Sequence, residues 1–151
     1  MRTVELRGFD ELGSIFVELQ TIFDDMDYRE PLQDFQQVLA EGERQAFATG
    51  TSPGGEAWPA IKESTAKRKG HTQVLVDKGR LGLSLTSVGG PGNINEVAER
   101  GSIYGTDVEY SIFHTRGTGR LPKREHVGTN NAAVDKLAAT LSDFVVEKLK
   151  G

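Results

Sequence analysis

The feature that most constrains the fold is an apolar run at helical spacing near the start of the chain. Leu12, Ile15, Phe16, Leu19, Ile22, Phe23 and Met26 recur at three- and four-residue intervals. With 3.6 residues per turn these positions form one continuous stripe, so the segment predicts an amphipathic helix. Thr3–Arg7 alternates apolar and polar residues like a short strand, Gly8 breaks it, and Asp10 is placed to cap the helix. Pro31 suits the first turn of a second helix, where its missing N–H costs nothing. Leu32, Phe35, Val38, Leu39, Gly42 and Ala46 mark the expected buried face of that helix. The two helices are expected to pack as a hairpin or to continue with a kink at residues 28–31.

Beyond them the pattern changes. Thr49–Gly55 reads Thr-Gly-Thr-Ser-Pro-Gly-Gly, a loop by composition. Residues 61–69 suit a short basic helix with Ser64 and Thr65 as candidate caps. Residues 73–76 are too short to assign, and residues 78–85 suit a turn of helix ahead of a strand. Ile94–Ala98 and Gly101–Thr106 read as a hairpin with Glu99 and Arg100 at its tip. Residues 110–115 fit either a strand or a short helix, and Arg116–Arg120 is a glycine-rich basic loop. Asn130 or Asn131 should cap a last helix with Val134, Leu137, Ala138, Leu141, Val145 and Leu149 on one face. Helices segregate from strands, so the fold class is α+β: N-terminal helices and a C-terminal helix on a small antiparallel sheet. A chain of 151 residues is expected to form a single domain, 1–151.

Charge is distributed unevenly. Residues 1–50 hold eleven acids and four bases (−7), residues 51–126 hold eight acids and eleven bases (+3), and residues 127–151 hold three of each. Such polarity suits head-to-tail packing of identical subunits, although acidic solvated helix faces would give the same numbers. With 26% charged and 36% hydrophobic residues, the core is expected to be modest and to favour help from neighbouring subunits. No apolar run reaches membrane-spanning length and no leader is expected after Met1. Cysteine is absent, which removes disulfides and thiolate metal sites.

Catalytic and metal chemistry find little support. His71, His114 and His126 have no helical ligand spacing, and surface or interface histidine is the better reading. Gly79-Arg-Leu-Gly-Leu-Ser84 lacks the glycine placement of a serine nucleophile elbow, and Gly89-Gly90-Pro91-Gly92 lacks the lysine of a phosphate loop. No enzyme, cofactor or metal is expected. The lone tryptophan, Trp58, follows the glycine-rich loop and reads as an anchor packed over the helices or a neighbouring subunit. Arg116, Arg120, Lys123 and Arg124 face only Glu125 in charge. They read as contacts to an acidic protein neighbour, as phosphate contacts of a small nucleic-acid-binding accessory protein, or as a solvated loop.

The order of these pieces carries more than any one of them. Phe47, the loop with Pro53 and Gly54, Trp58-Pro59, then Thr65-Ala66-Lys67, are followed by Gly79-x-Leu81-x-x-Ser84. Gly105-Thr106, Tyr110, His114 and Leu121-Pro122-Lys123-Arg124 complete the series. This order, over residues 3–149, resembles the phage virion morphogenesis family of tail-completion proteins. The chain departs from it at Thr115-Arg116, where that family commonly has glutamine-phenylalanine, and at Glu125-His126, where a proline and an aromatic are common. The resemblance implies a structural virion protein, assembled in the host cytoplasm and placed at the head–tail junction. Such proteins complete or cap the tail tube, or join it to the head, commonly as a six-fold ring. The implied partners are other copies of the chain, the tail tube protein and the head–tail connector or neck proteins. DNA would pass through the lumen without specific binding. Trp58, Tyr110, His114, Arg116, Arg120, Lys123 and Arg124 are the expected interface residues.

Overall fold

The computed structural model describes residues 9–151, so the strand expected at Thr3–Arg7 lies outside the described residues. Among them the order is α1 (Phe9–Asp24), α2 (Arg29–Thr49), α3 (Glu63–Lys69), α4 (Arg80–Thr86), β1 (Asn93–Ala98), β2 (Gly101–Thr106), α5 (Ser111–Arg116) and α6 (Asn131–Lys150). The fold is α+β. Its two strands form an antiparallel hairpin with Ala98 opposite Gly101, leaving Glu99 and Arg100 as the expected tip. α1 already includes Asp10, so that residue lies inside the helix and is not its cap.

α2 is the organising element. It packs against α4, the hairpin and α6. It begins at Arg29 with Pro31 in its first turn, and Gly50 ends it in a left-handed conformation whose N–H bonds the Ala46 carbonyl. The buried positions are Pro31, Gln36, Ala40, Glu43 and Ala46, whereas Leu32, Phe35, Val38, Leu39 and Gly42 are only half-buried. The deepest stripe of α2 is thus rotated from the most apolar one and contains two polar residues. Gln36 is held there: its Nε2 lies 2.7 Å from Ser102 Oγ and 3.2 Å from both the Glu96 and Ile103 carbonyls, three acceptors sharing its two hydrogens. That one side chain ties α2 to both strands.

The apolar centre joins Leu81 and Leu85 of α4 to Val108, with Phe47, Leu75 and Val127 packed against it. Gly79, at φ 79°, turns the chain into α4. Residues 73–76, left unassigned by sequence, form a turn in which Leu75 has φ 58°. α3 starts at Glu63 after Lys62, so Ser64 and Thr65 lie inside it and cap nothing. Asn130 does cap α6, its side-chain oxygen accepting from the Ala133 N–H at 2.8 Å. α6 lies along α2 and buries no residue fully. Tyr28 and Phe144 meet there with ring centroids 5.8 Å apart.

α1 is the outlier. Its Arg100–Asp24 ion pair (2.9 Å) ties its last turn to the hairpin tip, but it makes little contact with any other element. Phe16 is 63% exposed and Val17 65%. Among its described side chains, none is buried. The apolar stripe read from the sequence forms a helix; of its described side chains Phe16 and Phe23 stay exposed, and Ile15, Leu19, Ile22 and Met26 are half-buried.

Candidate functional site

The sequence elements that stand far apart in the chain meet in one clamp. Trp58 is buried, its ring edge-on to Phe47 of α2 at 5.3 Å between centroids. Its indole N–H donates to the Glu125 carbonyl at 2.7 Å. In the opposite direction Arg124 reaches back, Nε donating to the Pro59 carbonyl (2.8 Å) and a terminal nitrogen to the Ala60 carbonyl (3.0 Å). Residues 58–60 and 124–126 are thereby stapled across more than sixty positions. Arg124 is only 5% exposed, and burial lowers its pKa. A guanidinium satisfied by carbonyls stays charged and can be buried because its rigid donors are paired.

His126 continues the clamp. It is completely buried, with Nδ1 2.9 Å from the Arg124 carbonyl and Nε2 2.7 Å from Ser111 Oγ. A carbonyl only accepts, so Nδ1 carries the proton and Nε2 accepts from the serine. Burial pushes the His126 pKa down, and the Arg124 carbonyl offsets part of that. Ser111 and His126 have the separation of a nucleophile and its base, but both are buried and the ring is oriented by a backbone carbonyl alone. The pair pins the start of α5 to the clamp. His114 is half-buried, ring to ring with Tyr110 at 6.3 Å, and burial lowers its pKa, with His126 and Arg124 adding to the effect. Among the described residues no cluster of three or more acidic or histidine side chains could hold a metal ion.

A second set of bonds holds the Gly-x-Leu-x-x-Ser element to the hairpin. Leu81 is core, and Ser84 Oγ lies 2.7 Å from Thr106 Oγ1. Asn93 Nδ2 donates to the Ser84 carbonyl at 2.8 Å. Gly92, at φ 77°, passes so close that a Cβ would meet Asp107 Oδ1 at 2.8 Å.

The basic loop after α5 is held rigidly. The Gly117 N–H bonds the Phe113 carbonyl, and the Thr118 N–H bonds the Leu121 carbonyl at 2.8 Å. Thr118 Oγ1 accepts from the Leu121 N–H at 3.1 Å. Gly117 sits at φ 72°, and a Cβ there would come within 2.9 Å of the Lys123 nitrogen. Arg116, Arg120 and Lys123 point outward, and Lys123 pairs loosely with Glu125 at 3.8 Å. Around them Tyr110, Ile112, Phe113 and Leu121 are exposed. The segment left open between strand and helix is thus helical from Ser111 to Arg116, with Ile112 and Phe113 exposed on it.

Of the seven residues expected at an interface, Tyr110, Arg116, Arg120 and Lys123 are exposed together on this surface, and His114 lies half-buried behind it. Trp58 and Arg124 are buried within the chain and make its internal clamp. Sequence reasoning passed over Ile112 and Phe113, whose spacing on a six-residue helix is too short to read, and over Glu43. Glu43 is 1% exposed, and neither carboxylate oxygen has a hydrogen-bond partner of ordinary geometry. Burial pushes its pKa up to about 8, with the Gly128 backbone N–H a weak counterweight.

The model of the phage virion morphogenesis family matches residues 10–144. The chain belongs to that family. Neither a curated protein nor a solved structure matches it. Family membership makes the chain a structural or morphogenetic component of a phage virion, in a family that is not a known enzyme class. Among the described residues no helix is long and apolar enough to cross a membrane. Among the residues that carry the resemblance, Trp58, Pro59, Ser84, Thr106 and Arg124 take part in these bonds.

Proposed function

We propose that this chain is a single-domain subunit of the head–tail junction, which completes or caps the tail tube and joins it to the head as a closed ring of identical copies. Membership of the virion morphogenesis family supports the setting. The observation that carries the ring is the presence of two uncovered apolar surfaces of opposite charge, α1 and the α5 loop. A heterologous contact between unlike patches closes into a ring when its rotation divides a full turn. The tail tube and the head connector are the other partners, meeting the ring on its two faces, and DNA passes through its lumen.

Removing the chain from an infection tests this. The expected yield is filled heads and separate tails, or tails of abnormal length, with joining restored by adding purified protein to the extract. Normal titres of infectious tailed particles without the chain would overturn the proposal.

A further inference from the structure

We propose that α1 of one copy lies on the α5 surface of the next copy, so that the ring closes by an arm-on-neighbour contact. The inference rests on the ring reading above and adds which surfaces meet. α1 exposes Phe16, Val17 and Phe23, and half-buries Ile15, Leu19 and Ile22. A helix with so much apolar area uncovered gains by burying it, at about 25 cal/mol per Å². The receiving surface is α5 and its loop, where Ile112, Phe113 (54% exposed) and Leu121 stand out from the fold.

Charge selects this pairing over the alternatives. By sequence α1 carries Asp10, Glu11, Glu18 and Asp24, the last already paired with Arg100, and no basic residue. The α5 surface carries Arg116 and Arg120, which have no carboxylate partner among the described residues, and Lys123. Two α1 helices facing each other would oppose acid to acid, which disfavours a symmetric arm-to-arm dimer. α6 also exposes Val134, Val146 and Leu149, but its Asp135, Asp143 and Glu147 are balanced by Lys136, Lys148 and Lys150, so it offers an acidic helix no electrostatic preference. The 116–123 loop is already ordered by Thr118 and Gly117, so little conformational freedom remains to be lost when it binds.

The chain lacks cysteine, so single engineered thiols report contacts without background. Val17→Cys protein is mixed with Phe113→Cys protein, in the presence of purified tails, and oxidised. Both positions are exposed, and circular dichroism confirms folding; Ile112→Cys replaces Phe113→Cys if the latter misfolds. The expected result is a mixed disulfide in excess of either homodimer. Arg116→Glu with Arg120→Glu on the Phe113→Cys protein should lower its yield at least about ten-fold. Rings that assemble while giving only Val17–Val17 disulfides, or none, or that ignore the charge reversal, would overturn this contact and leave the ring reading intact. Wild-type protein that stays monomeric with and without tails would overturn both.

Discussion

Replacing Glu43 by glutamine isolates one consequence of the α2 packing. Glu43 is buried with both oxygens unpaired, and its pKa rises from 4.5 to about 8. In the unfolded chain it ionises near pH 4.5, whereas in the fold it stays protonated across neutral pH. The folded state therefore binds the extra proton. Its contribution to stability is fully present below pH 4.5, falls as pH rises, and is lost once pH passes about 8. At about 1.4 kcal/mol per pKa unit the loss is about 3 kcal/mol by pH 7 and about 5 kcal/mol above pH 8. Glutamine has nearly the same shape and no proton to lose. The stability of Glu43→Gln relative to wild type should thus climb steadily between pH 5 and pH 8 and level off beyond. Urea denaturation followed by circular dichroism at pH 5, 6, 7 and 8 measures it. Only the difference between the proteins is used, so other titrating groups cancel. A difference that stays flat over that range would refute the buried, protonated Glu43.

Three further outcomes follow from the clamp. Trp58→Phe keeps a ring against Phe47 but leaves the Glu125 carbonyl unpaired, and should cost about 1–3 kcal/mol in denaturant titration; Trp58→Ala should cost about 3–5 kcal/mol. Arg124→Glu sets an acid, at a buried position, against the Pro59 and Ala60 carbonyls and should destabilise the monomer by about 3 kcal/mol or more, whereas exposed Arg120→Glu should stay within about 0.5 kcal/mol and act on assembly. His126 and His114 both have pKa values pushed below 6.5, so they favour folding above pH 6.5 and lose that contribution as pH falls through their folded values. In a Glu43→Gln background, melting temperature should drop below pH 6.5, and His126→Gln should make that drop shallower.

Much of the fold was legible where the local chemistry decides the outcome. The two-residue tip at Glu99-Arg100, the cap at Asn130 and the helical stripe of α1 each follow from residues within one element. What the stripe would pack against was not legible, because partner surfaces are not encoded in periodicity. α2 shows the same limit from the other side. Gln36 and Glu43 are buried because the hairpin supplies acceptors to the first, and the turn of the helix carries the second inward with it. Arg124 read as a free charge because its partners, the Pro59 and Ala60 carbonyls, are backbone groups remote in sequence. Of the candidate site, the basic residues 116, 120 and 123 stand at the surface as charge alone suggests, and the exposed apolar Ile112 and Phe113 beside them sit on a helix too short to recognise.

Electron cryomicroscopy of intact particles, with the subunit located by a tag on α6, tests the central claim most directly. The expected image is a closed ring of this chain at the head-proximal end of the tail, with α1 of each copy seated on α5 of its neighbour. Finished particles that lack the chain, or carry it elsewhere than the head–tail junction, would contradict it.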